Sequence, residues 1–241
     1  EFSFLRQPAP PGGGIPWTDP RCSRLWRYQL QGFRMIFPLA LANLAQGHMG
    51  DRDRVLSWIE DWMAHCPENT PDAWDPYPIA ERIFYWTMAE SVFFLRHDGM
   101  RRSFRRQALR LAKTLEYDLK ANHLLREALA LMLAAILLQD RKLGDRAAAV
   151  ARAEIETQIL ADGGHYERSP MYHGILLFDM LLVRAAAAES IPWLDEAIPR
   201  MSDFLAGIMH PDGEIPLFND AVTGEAPPAG ALLRLVAQSG V

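Results

Sequence analysis

The sequence is poor in cysteine, has no excess of positive charge and contains no long hydrophobic run, and each absence excludes a class of protein. Its two cysteines, Cys22 and Cys66, make neither a disulfide framework nor a set with metal-ligand spacing. The net charge of −5 gives no general signal for nucleic acid, so any positive potential for an anionic ligand must be local. The longest unbroken apolar run, Ala128–Leu138, is too short to cross a bilayer. We therefore predict a soluble globular protein without a membrane span.

Signals for targeting and for phosphate binding are also missing. No secretory signal precedes the Pro/Gly-rich start, and Gly12–Gly14 do not lead into a helix as a phosphate-binding loop would. We predict that residues 1–18 form an extended lead-in. Residues 19–241 are predicted to form a single domain, since a chain of this length can bury a substantial core.

Helical periodicity dominates what is present. Apolar residues recur at steps of three and four, and no strand-rich segment is found. The predicted helices run over residues 20–46, 54–64, 79–97, 100–120, 124–138, 145–160, 170–188, 192–209 and 229–238. Pro38 predicts a kink or break in the first helix, and the prolines of residues 66–78 exclude a helix interior there. Residues 47–50 are expected to turn and residues 214–220 to be extended.

Two patterns indicate how these helices are arranged. The almost wholly apolar helices at 124–138 and 170–188 alternate with amphipathic ones, so they must be surrounded by protein. The helix-ending Asp-Gly pairs at Asp162 and Asp212 are 50 residues apart, about one helical hairpin with its turns. The sequence therefore predicts an all-α fold, either an (α/α) toroid or an α-solenoid, with loops collected at one end.

The helix predicted at 100–120 has one strongly basic face. An anion-binding strip is one interpretation, but a solvated outer face is favoured because charged residues usually cover exposed helix faces. The basic side chains are Arg101, Arg102, Arg105, Arg106, Arg110 and Lys113.

Polar clusters lie at or near the starts of three predicted helices. They are Trp74/Tyr77/Arg82, Asn122/His123 and Glu167/Tyr172/His173. If the repeats place equivalent helices side by side, these clusters converge on one mouth. Each also has a structural explanation, with Asn122 as a helix N-cap, His123 as a bonded core histidine and Tyr172 as a wall aromatic.

Metal-dependent and hydrolytic chemistry have weaker support. His165, His173 and Glu167 are a poor zinc candidate, so we predict neither a metal nor a cofactor. A glycoside hydrolase would need two carboxylates drawn from Asp162, Glu167 and Asp220, although Asp162 is better explained as a turn residue. A hydrolase thus stays open as a third possible function.

An ordered set of segments resembles a known family. They are Ile15–Trp17, Leu25–Tyr28, Trp74–Ile83, Asn122–Glu127, Asp162–His173 and His210–Asp220. In these segments the chain resembles the helical N-terminal domain of the heparinase II/III-like polysaccharide lyases, which is also similar to that of certain alginate lyases. The resemblance implies an (α/α) toroid and cleavage of a uronic-acid polysaccharide, heparan sulfate-like or a related acidic glycan, by β-elimination.

In that reaction a base removes the proton at C5 of a uronate whose carboxyl group must be neutralised, and an acid protonates the leaving glycosidic oxygen. The resemblance implies that Asn122, with His123, binds the carboxyl group and that Tyr172 shuttles the proton. Further side chains are expected to bind the substrate or to support these three. They are Trp74, Tyr77, Arg82, Glu127, Glu167 and His173.

The supporting side chains have different expected tasks. Trp74 and Tyr77 are expected to line a sugar subsite. Arg82 and His173 are expected to supply a positive field that favours the phenolate of the tyrosine. Glu127 lies one helical turn after His123, at a spacing that lets it orient the imidazole.

The chain departs from the family pattern at its C-terminus. Family members continue into a β-sandwich domain that contributes a further catalytic histidine, and this chain ends at Val241 without that partner domain. Weak catalysis is therefore expected, with a non-catalytic glycan-binding or scaffold domain as the alternative. The resemblance also implies a periplasmic or secreted protein.

Overall fold

Helices account for nearly all the regular structure of the chain. A computed structural model describes residues 2–46 and 50–240, so most of the turn predicted at 47–50 lies outside the described residues. The described residues divide into two units, Glu1–Thr114 (unit 1) and Leu115–Val241 (unit 2). The single domain predicted for residues 19–241 stays a prediction.

Unit 1 begins with a short hairpin and continues as five helices. The elements are β1 (Ser3–Phe4), β2 (Gln7–Pro8), α1 (Arg24–Gln31), α2 (Ile36–Gln46), α3 (Arg52–His65), α4 (Pro76–Phe93) and α5 (Asp98–Leu111). Its core is aromatic: the ring of Phe33 meets those of Trp62 and Trp86 edge-on, at centroid distances of 6.3 and 5.5 Å. Such edge-to-face contacts add to the burial energy of large rings. Unit 1 is therefore a helical body organised around buried tryptophans.

The N-terminal segment is packed rather than merely extended. β1 and β2 pair as antiparallel strands, and Phe4 packs edge-on against Trp26 at 5.1 Å. Trp26 Nε1 donates a hydrogen bond to the carbonyl oxygen of Gln7, 2.9 Å away. The predicted lead-in thus covers α1, an arrangement that depends on contacts with residues far along the chain.

The first predicted helix is broken, but Pro38 does not cause the break. α1 ends at Gln31 and α2 begins at Ile36, so Pro38 lies in the first turn of α2, where a missing N–H costs no helical bond. A Cβ on Gly32 would lie only 2.3 Å from Oε2 of Glu81, and the next residue, Phe33, has a positive φ of 66°. The close approach of α4 therefore accompanies the interruption after Gln31.

Prolines also shift the start of α4. The helix begins at Pro76, three residues before the predicted start at Ile79. Pro76 and Pro78 occupy its first turn, the part of a helix that tolerates proline. The proline-rich connection predicted at 66–78 is therefore shorter than expected.

Unit 2 contains the two apolar helices and their amphipathic neighbours. Its elements are α6 (Ala121–Leu138), α7 (Arg141–Gln158), α8 (Pro170–Ala186), α9 (Pro192–Ile208) and α10 (Ala229–Ser239). α6 packs against α7 and α8, and α8 packs against α9 and α10. Inside this packing Arg126 of α6 and Asp179 of α8 form a buried ion pair with Nε and Oδ2 2.9 Å apart. Residues 214–218 are free of helix and strand, as predicted.

The helix α6 is long and apolar enough to cross a membrane by length and composition, which the shorter run Ala128–Leu138 did not suggest. However, 72% of it is buried among other residues of the protein, as in the core helix of a globular unit. The prediction that this helix is surrounded by protein is confirmed. Its start at Ala121, three residues before the predicted start, puts Asn122 and His123 in its first turn.

Candidate functional site

The candidate site is built around the start of α6. Asn122, the second residue of this helix, is 5% exposed, and its Nδ2 donates a 2.8 Å hydrogen bond to Oε2 of Glu167. Its backbone N–H donates to the same oxygen at 3.3 Å. Lys120, at the N-cap, makes no side-chain cap, so Glu167 supplies the negative group that the positive end of the helix favours. The Asn122 amide is therefore held in place by a carboxylate 45 residues away.

One N–H of the Asn122 amide is available to a ligand. An amide nitrogen carries two N–H groups. Over residues 2–46 and 50–240, the only recorded acceptor for Nδ2 is the Glu167 carboxylate. The second N–H can thus donate to a further oxygen.

A tight loop between α7 and α8 presents Glu167. Gly163 has a φ of 86°, and a Cβ there would lie 2.1 Å from the carbonyl oxygen of Arg200, so only glycine fits. Oδ1 of Asp162 accepts a hydrogen bond from the backbone of Gly164, which confirms Asp162 as a turn residue. Asn219 Nδ2 donates to the carbonyl oxygens of Glu167 and Arg168, each 3.0 Å away. The loop is therefore fixed from both α9 and the extended segment after it.

His123 contacts the carboxyl group of Glu116, and the predicted partner Glu127 lies in the same cluster. The Nδ1 atom of His123 lies 2.7 Å from Oε2 of Glu116. Glu127 is fully buried, and its Oε2 accepts the backbone N–H of Glu116 at 2.8 Å. Glu127 therefore holds the residue that contacts the imidazole, and its predicted role in orienting His123 stays a prediction.

Glu127 carries a proton at neutral pH. Burial, with the adjacent Glu116 carboxyl, raises the pKa of Glu127 to about 9, so this side chain is neutral at pH 7. The Glu116 carboxyl group connects this neutral side chain to His123, because its Oε2 contacts Nδ1 of the imidazole.

Two further histidines, His165 and His173, are buried and neutral. Nε2 of His165 lies 2.8 Å from Oε1 of Gln158, and Nε2 of His173 lies 3.0 Å from the carbonyl oxygen of Met201. Burial lowers the pKa of His165 to about 3 and that of His173 to about 4. The predicted positive field from His173 is therefore absent at neutral pH, because an enclosed imidazole does not hold a proton.

A cavity of about 290 Å³ lies beside this loop. Its walls combine aromatic rings with polar groups from the loop and the start of α8, notably His165, Arg168, His173, Phe204 and Phe218. Phe218 is largely exposed and Phe204 packs against His173 with centroids 5.2 Å apart. A mostly apolar recess with a few polar groups is the usual form of a small-ligand site.

Tyr172 lies in the first turn of α8. Ser169 is the N-cap of this helix and accepts from the Tyr172 backbone N–H at 3.5 Å, which confirms the predicted helix start. The side chain of Tyr172 is partly buried against Met171, Ile175 and Ala221. Since Glu167 precedes α8 by three residues and bonds Asn122, the first turns of α6 and α8 lie at the same end of unit 2.

Comparison with known families identifies this arrangement. The sequence profile described as "Heparinase II/III N-terminus" matches residues 4–231. The chain belongs to the heparinase II/III family. No curated protein matches the chain.

Solved structures of heparinases share the fold of this family member. A crystal structure of heparinase III superimposes with a TM-score of 0.73 at 21% identity, over 96% of this chain and 39% of that one. Heparan sulfate lyase HepC from Pedobacter heparinus gives a TM-score of 0.60 at 22% identity, over 85% of this chain and 35% of that one. The predicted fold class, all-α and of the (α/α) toroid type, is confirmed. The heparinase II/III chain described here thus spans less than two fifths of these relatives.

Unit 1 holds the other predicted site residues of this heparinase II/III domain, and two of them are interior. Arg82 is fully buried and donates to Gln107 Oε1 and to the carbonyl oxygens of Gln31 and Ala73 at 2.6 to 2.7 Å. Its guanidinium lies 4.1 Å from the ring centre of Trp62, and burial lowers its pKa to about 9.

Trp74 is also buried, 5% exposed, and donates to the carbonyl oxygen of Cys66, whereas Tyr77 is half-buried in the first turn of α4. The side-chain nitrogen atoms of Arg82 and Trp74 each donate a hydrogen bond to a partner inside the protein. The geometry therefore favours structural roles for Arg82 and Trp74 over the predicted contacts with substrate.

Glu116 is the site residue that the sequence did not reveal. It precedes His123 by seven residues in a non-helical turn, a spacing with no periodic signal. Among the described residues, the candidate metal-ligand group is Glu116, His123 and Glu127, with ligand atoms within 4.8 Å, and not the zinc candidate His165, His173 and Glu167.

Proposed function

We propose that this domain belongs to a polysaccharide lyase that cleaves a uronic-acid polysaccharide, heparan sulfate-like or a related acidic glycan, by β-elimination. The proposal rests chiefly on one observation: the amide of Asn122 is fixed at the positive end of α6 with an N–H left to bind a carboxyl group. Membership of the heparinase II/III family supports the reaction class.

Asn122 and His123 act on the carboxyl group of the uronate. Removal of the C5 proton places negative charge on that group, and donors aimed at developing charge lower the barrier. The Asn122 N–H and the first-turn position at the helix N-terminus both favour such charge. Glu116 fixes the ring of His123, which gives the second contact a defined direction.

Tyr172 transfers the proton. Its phenolate takes the C5 proton, and the phenol so formed donates that proton to the leaving glycosidic oxygen, so the C5–H and C4–O bonds break while a C4=C5 double bond forms. Packing against Met171 and Ile175 holds the ring in a single place. Glu167 serves as a positioning residue, since it holds Asn122 at the same end of unit 2.

A non-catalytic glycan-binding or scaffold domain is the second candidate. The chain spans 39% or less of the length of the heparinases it resembles, so the activity of the whole protein is a proposal for this chain. The neutral state of His165 and His173 removes two further acid–base groups at neutral pH. A periplasmic or secreted location is part of both proposals.

Ultraviolet absorbance of the products distinguishes a lyase from a hydrolase and from a binding domain. Incubation with heparan sulfate is expected to produce an unsaturated uronate that absorbs, whereas a hydrolase using Glu167 would shorten the chains without absorbance and a binding domain would leave them intact. Tyr172→Phe is expected to abolish the signal and Tyr166→Phe, a change on the same loop, to preserve it. Full activity of Tyr172→Phe would refute the assignment of the proton shuttle.

A further inference from the structure

The exposed face of α5 carries a concentration of positive charge. Residues 98–113 contain six basic side chains and one acidic one, a net +5 in a chain of −5, so the rest of the chain carries −10. Every basic side chain in this stretch is exposed, and we call the set the α5 strip: Arg101, Arg102, Arg105, Arg106, Arg110 and Lys113. Charge of this sign is therefore segregated and not spread over the surface.

Most of the α5 strip has no protein partner. Arg101 bonds Glu90 at 2.9 Å. Within the part of the chain that the structure describes, the other five side chains have neither an ion pair nor a hydrogen bond to their charged groups. Some exposed basic residues elsewhere are paired along their helix, as Arg152 is with Glu156. The α5 strip thus leaves its donors open.

The arrangement opposes helix stability. Arg102 is followed by Arg106, and Arg106 by Arg110, at the i,i+4 spacing where like charges repel. The helix dipole favours Arg110 in the last turn, but it does not remove the repulsion within this series. Solubility alone would be served as well by mixed charges, so an external anion explains the pattern better than solvation does.

The side chains suit an extended polyanion. Successive residues 102, 105, 106, 110 and 113 occupy one side of the helix and its following turn, over about 16 Å at 1.5 Å per residue. Arginine predominates, and its planar guanidinium binds oxyanions such as sulfate through two parallel hydrogen bonds. Leu109, 43% exposed, lies within the strip and offers an apolar contact between the charges.

We propose that the α5 strip binds a sulfated polyuronate chain through its sulfate groups, as a surface separate from the site around Asn122. The identity of the glycan rests on the proposed function. The contact is electrostatic and extends along the polymer, so it increases with chain length and weakens with salt.

The test measures binding of fluorescein-labelled heparin to the full chain by anisotropy, at several sodium chloride concentrations. Replacing Arg102, Arg105, Arg106 and Arg110 by glutamine is expected to lower affinity at least about tenfold and to reduce the slope of log K against log salt by about 2 to 4. The matched control replaces Arg141, Lys142, Arg146 and Arg152 of α7 by glutamine, removing the same charge from another exposed face. That control is expected to change affinity less than about twofold.

Other outcomes overturn the proposal. They are absence of heparin binding by the unchanged protein at low salt, equal loss in both four-site variants, or tighter competition by duplex DNA than by heparin. Fully desulfated heparin is expected to compete weakly, and equal competition would contradict recognition of sulfate. Circular dichroism checks that both variants stay folded.

Heparin binding by the α5 strip can be tested independently of catalysis. Asn122→Ala and Tyr172→Phe are expected to retain the heparin affinity of the α5 strip while losing lyase activity. Binding that depends on the strip in a protein without lyase activity would refute the proposed function alone. Lyase activity with binding unaffected by the four-site variant would refute the strip alone.

Discussion

The position of the Asn122 amide depends on Glu167. This carboxylate receives both the side-chain and the backbone N–H of Asn122 and also caps α6. Loss of Glu167 therefore frees the amide to rotate and removes the negative group at the helix start. The two effects can be measured separately, because rotation of the amide changes the reaction rate and loss of the negative group changes the stability of the folded state.

Glu167→Ala is expected to lower kcat by about 10- to 100-fold with little change in KM, because misplacement of a binding group acts mainly on the reacting geometry. A substrate with methyl-esterified uronates needs less charge neutralisation, so the loss on that substrate is expected to be smaller. Glu167→Gln, which keeps an acceptor, serves as the conservative control. Equal loss of kcat on both substrates would contradict a role through Asn122.

Glu127 predicts a pH dependence of stability. Its pKa is about 9 in the folded protein and near the ordinary 4.5 when unfolded, so the folded state binds more protons between these values. The free energy of unfolding therefore falls as pH rises through this window. His165 and His173 titrate below pH 7 and act in the opposite direction, since their lowered pKa values destabilise the folded state in acid.

Between pH 7 and 8 the histidines are almost entirely neutral in both states and Arg82, with a pKa of about 9, is still largely charged, so the decline there belongs chiefly to Glu127. Glu127→Gln is expected to flatten the decline of the urea midpoint over this range, because glutamine keeps an acceptor for the Glu116 N–H without a charge to bury. Gln158→Glu would not serve as a control, because Gln158 contacts the imidazole of His165 and the added charge would change the pKa of that histidine. Glu156→Gln, on the exposed face of α7, is the matched control and should leave the profile unchanged.

At the level of elements, the buried pair Arg126–Asp179 joins α6 to α8. Removal of one partner leaves an uncompensated charge in the interior. Asp179→Ala is expected to cost about 3 to 5 kcal/mol of unfolding free energy. The double change Arg126→Met with Asp179→Leu is expected to cost much less, because no buried charge remains. Denaturant unfolding followed by circular dichroism measures both; equal costs would show that the pairing itself is unimportant.

The helix boundaries show which parts of the fold can be predicted from the sequence. The start of α8 follows from its neighbours, since Ser169 caps the helix and Pro170 occupies its first position, and the structure confirms it. The break after Gln31 depends on Glu81, fifty residues away in another helix, and local patterns contain no trace of it. Helix caps can be predicted from the local sequence, whereas close packing between elements that are distant in the sequence cannot.

The same distinction applies to the site. Asn122, His123 and Tyr172 stand at helix starts, and the first turns of α6 and α8 do lie together within unit 2. The partners Glu116 and Glu167 act through contacts that no periodicity indicates. The catalytic roles of these residues stay predictions.

At the scale of the whole molecule, the predicted site clusters are divided between the units. Trp74, Tyr77 and Arg82 belong to unit 1, and the clusters at Asn122 and Glu167 belong to unit 2. Their convergence on one mouth stays a prediction. Family membership and the all-α fold were readable because ordered motifs cover nearly the whole chain.

The overall charge predicts how salt changes encounter rates with heparin. Attraction by the α5 strip is screened by salt, so the association rate constant of the unchanged protein is expected to fall as salt rises. Without the four strip arginines, the net negative remainder repels the polymer, and the rate constant is expected to rise with salt. Stopped-flow anisotropy measures both slopes, and slopes of the same sign would contradict this account.

The uneven distribution of tryptophan has a practical consequence for all of these measurements. Six of the seven indoles precede residue 115, and Trp193 alone follows it. Intrinsic emission therefore reports almost entirely on the half of the polypeptide that lacks Asn122 and Tyr172. A structural change around those residues would therefore leave the tryptophan emission almost the same as that of the intact protein.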